Sequence, residues 1–358
     1  MEREHYRIKD FIPRSLSVKS HRVYLSGSPS SGKTTLALMG EAVSSLCYIN
    51  LMFASNKKLL QEAKKKLLSV DSGIKLIVID NYREGFLDSE LLSQLDEIRI
   101  ILIGKYAVYK QDSMLRDFSY VILRHLSFEE YLASDTKNLG IESLFGNFIQ
   151  CGNAPEIYHL PRFQREQRKW QIMRLALEEN LAIFCAMLSF QSLKITTNSL
   201  YTQLKNCVQI SKDRLYPLIE KLQDEYIISV CEHTNNIESK HKRYKLYFYD
   251  FSLFVFADNK HFLRMYENMV YLELIARGFM LCYDDYFDFL DKKKRVYFLC
   301  MPFASLESIQ LRIKNLQSMF TTRDRQLIIV SMSLNKQLSK HIDIVDFTSL
   351  YNLSTLEA

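Results

Sequence analysis

The stretch that most constrains this chain is Gly27–Thr34, GSPSSGKT, which satisfies the pattern G-x-x-x-x-G-K-[ST] in full. Its surroundings fit. His21 to Ser26 (HRVYLS) reads as a buried strand, and Thr35 to Ser45 (TLALMGEAVSS) as a helix that opens just after the lysine. Strand, loop and helix in that order make a phosphate cradle. Gly27 and Gly32 accept backbone angles that other residues resist, so N–H groups turn inward toward a β-phosphate beside the helix N-terminus. The expected cradle is Gly27, Ser28, Pro29, Ser30, Ser31, Gly32, Lys33, Thr34 and Thr35, with Lys33 reaching the β- and γ-phosphates and the Thr34 hydroxyl binding Mg2+.

A phosphate loop also requires an acidic residue at the end of another parallel strand. Lys75 to Tyr82 (KLIVIDNY) is rich in Ile and Val, too short for a helix, and reaches Asp80. Asp80 is therefore the second expected Mg2+ residue, and the ligands implied are ATP or ADP with Mg2+. The next position is Asn81, whose amide holds a water but cannot take its proton. Glu84, three residues further on, is the candidate substitute. Lys33, Asp80 and Glu84 form the expected catalytic set, and nucleotide binding is better supported than rapid hydrolysis.

With 358 residues the chain is long enough for about two or three domains. A hydrophobic content of 47% with 25% charged residues implies a packed core. No apolar run reaches the length of a membrane span, and the start MEREHYRIKD lacks the apolar centre of a signal peptide. The expectation is a cytoplasmic protein with no membrane partner. Seven cysteines are scattered without a C-x-x-C pair and eight histidines without an H-x-x-x-H pair, so neither bridges nor zinc are expected. The net charge of +6 permits a nucleic-acid partner without requiring one.

Beyond the loop, Leu46 to Phe53 reads as a strand, Asn56 to Ser69 as an amphipathic helix, Leu87 to Leu95 as a helix and Ile98 to Ile103 as a strand. Strands alternating with helices from residue 21 to about 125 indicate a parallel sheet covered on both faces. Residues from about 165 to 235 are helical, with Phe163 to Glu179 and Asn180 to Phe190 at helical apolar spacing. Asn198 to Cys207, Ser211 to Gln223 and Tyr226 to Cys231 then run helix, turn, helix, strand, an order that resembles a winged helix-turn-helix. Ser211 is the expected cap of its second helix, and Pro217 is expected to kink that helix or shift its start. The basic cluster Lys240, His241, Lys242, Arg243 and Lys245 falls on the wing, where it is either a grip on duplex DNA phosphates or a solvated hairpin tip.

A family resemblance emerges from landmarks taken in order. GSPSSGKT, VID at 78–80, the strand ending at Ile103 and Gly104, and LRHLSFEEYL at 123–132 come first. CGNAPEI at 151–157, RYKLYFYDFSL at 243–253 and YENMVYLELIARG at 266–278 follow. Together they resemble the bacterial and archaeal ATPases that join an AAA-type P-loop module to a C-terminal nuclease-like domain of unknown function. The resemblance implies an α/β chain in three parts. These are a parallel-sheet P-loop domain at 1–160, a helical winged-helix domain at 161–245, and a catalytically inactive α/β domain of restriction-nuclease-like fold at 246–358.

The departures from that family bear on activity. Asn81 stands where a glutamate is usual, Lys105 where a small polar sensor is usual, and the arginine expected before HLSF appears only as Arg124. In active relatives of the nuclease-like fold, a helix glutamate, a strand aspartate and a Glu-x-Lys pair bind metal and activate water. Glu273 and Asp288 match the first two, but Arg295 to Met301 (RVYFLCM) has neither acid nor lysine where the pair belongs. The leading expectation is a nucleotide-dependent switch with weak or absent ATP hydrolysis. The alternatives are an active ATPase completed by Glu84 or a neighbouring subunit, a DNA-associated factor, and, last, a nuclease; a protein client or a homo-oligomer stays open.

Overall fold

Short apolar runs become the strands of a parallel sheet in the computed structural model, which describes residues 12–39, 42–54, 56–236, 242–258, 260–316 and 325–355. Contacts divide the chain into two units, Met1–His125 with Asp224–Ile227, and Leu126–Gln223 with Ile228–Ala358. The first unit runs β1 (Arg22–Gly27), α1 (Lys33–Leu38), β2 (Leu46–Asn50), α2 (Lys57–Leu68), β3 (Leu76–Asp80), α3 (Ser89–Gln94), β4 (Arg99–Ile103), α4 (Tyr106–Gln111) and β5 (Ser119–Leu123). Its sheet has the order β2-β3-β4-β1-β5, and every pairing is parallel.

The strand β3, LIVID, is buried along its whole length, as a strand covered on both faces must be. Its alternate side chains feed two cores. Ile77 and Ile79 pack with Tyr24, Phe86 and Leu91, whereas Leu76 and Val78 pack with Val23, Leu25 and Ala37. Because the strands are parallel, their C-terminal ends share one edge. The loop after β1 and Asp80 after β3 therefore open on the same edge, with β4 between their strands.

One helix is shorter than its sequence suggests. The helix expected to reach Ser45 ends at Leu38, with Met39 extended at ψ 145, and Val43–Ser45 forms a separate 3-10 turn. Gly40 and Glu41, in the expected span, lie outside the described residues.

The second unit begins with α5 (Phe128–Ala133), α6 (Ile141–Cys151), α7 (Pro155–Tyr158), α8 (Arg162–Leu177) and α9 (Leu181–Leu188). A reciprocal cap opens α5: the Ser127 hydroxyl accepts from the Glu130 N–H at 3.2 Å, and the Glu130 carboxylate accepts from the Ser127 N–H at 3.1 Å. This cap is the physical content of the segment HLSFEEYL. Next come β6 (Ile195–Thr196), α10 (Thr197–Leu204), α11 (Lys212–Asp224), β7 (Ile228–Glu232) and β8 (Arg243–Phe248), the strands forming an antiparallel sheet in the order β6-β8-β7. Ser211 does receive the Arg214 N–H, at 3.3 Å. Pro217, however, neither ends α11 nor delays its start, because Leu215, Leu218, Ile219 and Leu222 bury one face across it.

The chain then enters α12 (Phe262–Ala276), β9 (Leu281–Cys282), β10 (Phe289–Asp291), β11 (Val296–Cys300), α13 (Leu306–Leu316), β12 (Gln326–Ser331), β13 (Lys336–Ser339) and β14 (Ile342–Asp346). These strands form a mixed sheet in the order β13-β14-β12-β11-β10-β9, parallel from β11 through β12 to β14 and antiparallel at both margins. No helix among the described residues is long and apolar enough to cross a membrane.

Gly27 is the most sterically constrained position near the loop. Its φ is 144, and a Cβ there would lie 1.9 Å from the Leu123 carbonyl oxygen on β5. Gly27→Ala is expected to destabilise the first unit by about 3 kcal/mol, read as a lower denaturant midpoint.

Candidate functional site

The loop after β1 turns through three positive φ values, at Gly27 (144), Ser30 (53) and Gly32 (89). A Cβ on Gly32 would meet nothing within 4 Å, so space is open beside it. The Lys33 ammonium folds back onto its own loop, donating to the carbonyls of Gly27 at 2.9 Å and Ser28 at 2.6 Å. Burial pushes its pKa down to about 8, and the nearby Asp80 carboxylate opposes that fall.

Thr34 and Asp80 are joined directly. The Thr34 hydroxyl donates to Asp80 Oδ2 at 2.7 Å, and the Tyr48 hydroxyl donates to the same oxygen at 3.1 Å. The other carboxylate oxygen accepts the Asn81 N–H at 2.8 Å. A hydroxyl and a carboxylate brought together from two strand ends suit a hard cation whose remaining ligands are phosphate oxygens and water. The donor set fits Mg2+, with Lys33 beside it to meet phosphate. Thr35 follows within α1.

Where a base would stand, two amides meet. Asn81, at φ 56, donates through Nδ2 to Asn50 Oδ1 at 2.9 Å. Asn50 and Asp80 are register partners on β2 and β3, which brings the amide pair beside the carboxylate. Glu84 is exposed on a turn held by Asp112, whose Oδ2 accepts from the Tyr82 hydroxyl at 2.7 Å and the Gly85 N–H at 3.1 Å. Among the described residues no hydrogen bond or ion pair links Glu84 to the loop. Lys33, Thr34 and Asp80 are thus gathered, and Glu84 stands outside the group.

Several residues that steady the loop lie outside it. His125 Nε2 lies 2.8 Å from the Pro29 carbonyl, and Arg14 donates to the Ser31 carbonyl at 2.8 Å and the Arg124 carbonyl at 2.6 Å. Ser28 donates through its hydroxyl to the Tyr226 carbonyl at 3.0 Å, across 198 positions of sequence. Arg14, His125 and Tyr226 reach the loop, and Tyr48 and Asn50 reach Asp80 and Asn81, through strand register and chain folding, which local patterns do not encode.

In the second unit Glu273, matched by order to the helix acid of the nuclease-like fold, is taken up elsewhere. Glu273 is buried and bonded to the Phe128 N–H at 2.9 Å and the Arg277 guanidinium at 2.6 Å. It is Glu267, on the same helix α12, that joins the Asp288 neighbourhood, through Lys245. The Lys245 ammonium lies 2.8 Å from Glu267 and 3.7 Å from Asp288, and the Tyr247 hydroxyl donates to Glu267 at 2.6 Å. Burial pushes the Glu267 carboxyl upward while Lys245 pulls it down, with a net rise. Among the described residues no group of three or more His, Cys, Asp or Glu could hold a metal ion.

The same contacts remove Lys245 from the basic cluster expected on a wing. It is buried in β8 and ion-paired, because that strand is covered along both faces. Lys240 and His241 lie outside the described residues. Lys242 is exposed, and Arg243 reaches the Asp285 carboxylate at 3.5 Å.

No protein-family model matches the chain, and no curated protein matches it. Among solved structures, the chain is similar to the Aeropyrum pernix ORC1 protein in complex with DNA, at 11% identity over 73% of this chain and 89% of that one, with a TM-score of 0.30. It is also similar to Drosophila ORC bound to DNA, at 13% identity over 64% of this chain and 87% of that one, with a TM-score of 0.25. At that level of similarity only the chain's own residues carry a functional reading.

The Lys245 cluster makes its own prediction. Lys245→Met leaves the partly buried Glu267 without its counter-ion, and about 3 kcal/mol of stability should be lost at pH 8. The deficit should shrink at pH 5.5, where a carboxyl whose pKa is already raised takes up a proton. Denaturant titrations at the two pH values check the difference.

Proposed function

We propose that this chain is an AAA-type P-loop protein that binds ATP or ADP with Mg2+ and works as a nucleotide-dependent switch, with weak or absent hydrolysis. One observation carries the reading: the Thr34 hydroxyl and the Asp80 carboxylate meet at 2.7 Å beside Lys33, while the next residue, Asn81, is bonded to another amide. The cation and phosphate ligands are present, and the group beside Asp80 has no basicity with which to activate water. The all-parallel order β2-β3-β4-β1-β5 supports the AAA-type assignment, since it sets the loop strand and the acid strand one strand apart.

The proposed organisation has three parts: the P-loop domain at 1–160, a winged-helix domain at 161–245 using α10, α11, β7 and β8, and an inactive nuclease-like domain at 246–358. A cytoplasmic location accords with it. A protein client, a second copy or duplex DNA are the partners such a chain would serve, with Lys242 and Arg243 as the described basic residues left for phosphates.

The reading requires that Lys33→Ala abolish nucleotide binding by calorimetry; intact binding in that variant would refute it. Affinity should also depend on pH through Lys33. The free ammonium titrates at about 8 and a bound polyphosphate raises that value, so the complex takes up a proton above that pH. Affinity is then highest below pH 8 and falls as pH rises, by up to about tenfold per unit. Calorimetry at pH 7.5 and 9 measures the slope.

Genuine hydrolysis is the second reading, favoured by the way Asp112 pins the exposed turn that carries Glu84. Turnover with Mg2+ that Glu84→Gln abolishes would establish it, and turnover no faster than buffer leaves the switch alone.

A further inference from the structure

We infer that the four-residue segment Asp224–Ile227, the last residue of α11 and the turn after it, is a built-in competitor of the ligand at the phosphate loop: Glu225 supplies a resident carboxylate to Lys105, and an incoming phosphate must displace it. The inference rests on the reading that the loop takes a nucleotide, and it concerns how that site is regulated. The segment belongs with the first unit by its contacts, although it begins on the last residue of α11 and precedes β7.

Its position is fixed at several points. The Tyr226 carbonyl accepts from Ser28, the second residue of the loop, at 3.0 Å. The Tyr226 hydroxyl lies 2.7 Å from that of Tyr120 on β5, the strand beside β1. Asp224 pairs with Lys110 on α4 at 3.0 Å. Tyr226 itself stands at φ 55, a backbone state that a bulky residue keeps only when its surroundings impose it.

Lys105 is brought to the same edge by the sheet. It directly follows Gly104, whose N–H donates to the Leu25 carbonyl on β1 at 3.2 Å, while on the other side the Tyr82 N–H donates to the Ile103 carbonyl at 2.8 Å. The chain at Lys105 therefore leaves the sheet between the strand that starts the loop and the segment that follows Asp80. The Tyr24 hydroxyl holds the Lys105 carbonyl at 2.8 Å, and a Cβ at Gly104 would lie 2.1 Å from that hydroxyl. The backbone is anchored and the side chain is free to choose its anion.

At present that anion is Glu225, 2.7 Å away, with the lysine side chain 64% exposed and the glutamate 13% exposed. An ion pair with one partner in water is weak, whereas a phosphate offers several charged acceptor oxygens. The exchange is balanced so that a ligand can make it. Losing the pair leaves Tyr226 strained and the turn held by fewer contacts.

The test uses the full chain, Mg2+ and a non-hydrolysable ATP analogue. Glu225→Gln is expected to tighten binding about threefold, Glu225→Asp to stay near wild type, and the gain to vanish when Glu225→Gln is combined with Lys105→Met. Amide exchange at residues 224–227 should quicken on ligand binding while the loop becomes protected. Binding that Glu225→Gln leaves unchanged or weakens, or a protected loop with no change at 224–227, overturns the inference and leaves the nucleotide reading intact. A wild-type trace as flat as that of Lys33→Ala overturns both.

Discussion

The hydrogen bond between the Thr34 hydroxyl and the Asp80 carboxylate is the contact on which the first unit's chemistry depends, because it joins the start of α1, which follows β1, to the end of β3, with another strand between β1 and β3. Such a bond is worth about 1.5–3 kcal/mol when one partner is charged, too little to hold a sheet in place. The dependence runs the other way. The parallel ladders fix where β1 and β3 end, and the buried run LIVID leaves Asp80 only one edge to reach. The small interaction is placed by the large one, and a metal ion would inherit that placement.

The second unit spends the same residue types differently. A lysine, a helix glutamate and a strand aspartate gather around Lys245, but the ammonium already satisfies the carboxylates at 2.8 and 3.7 Å. Removing Lys245 would leave two carboxylates without their shared counter-ion, so the cluster already holds a cation of its own. Glu273 is absorbed likewise: it binds Arg277 and the first N–H of α5, linking the start of that helix to α12. Acids that sequence order assigns to metal chemistry are used here to hold elements together.

The sequence revealed the parts of the protein whose chemistry lies in a short run. GSPSSGKT needs its residue types at fixed spacing and was legible, whereas HLSFEEYL was read only as a landmark and its helix cap, although it lies within four positions, was not. The strands β1, β3 and β4 were legible for the same reason. What depends on register was not. Tyr48 and Asn50 matter only because β2 lies beside β3, and Tyr226 only because the chain returns to Ser28. Lys245 misled because a run of basic residues reads as surface, yet RYKLYF is a strand buried on both faces. Lys245 and Tyr247, two apart, project from one face and both meet Glu267.

The groups of the loop and of the strand ends beside it already bond to one another. Lys33 holds two carbonyls of its own loop, Asp80 accepts from Thr34, Tyr48 and Asn81, and Asn81 holds Asn50. A ligand therefore exchanges bonds instead of filling vacancies, and its net gain comes from the charge on its phosphates. Such an exchange would change the partners of the loop and of the ends of β2 and β3 together. Hydrolysis would need one thing more, a base next to Asp80, and the amide pair at Asn81 and Asn50 occupies that place with groups that cannot accept a proton near neutral pH.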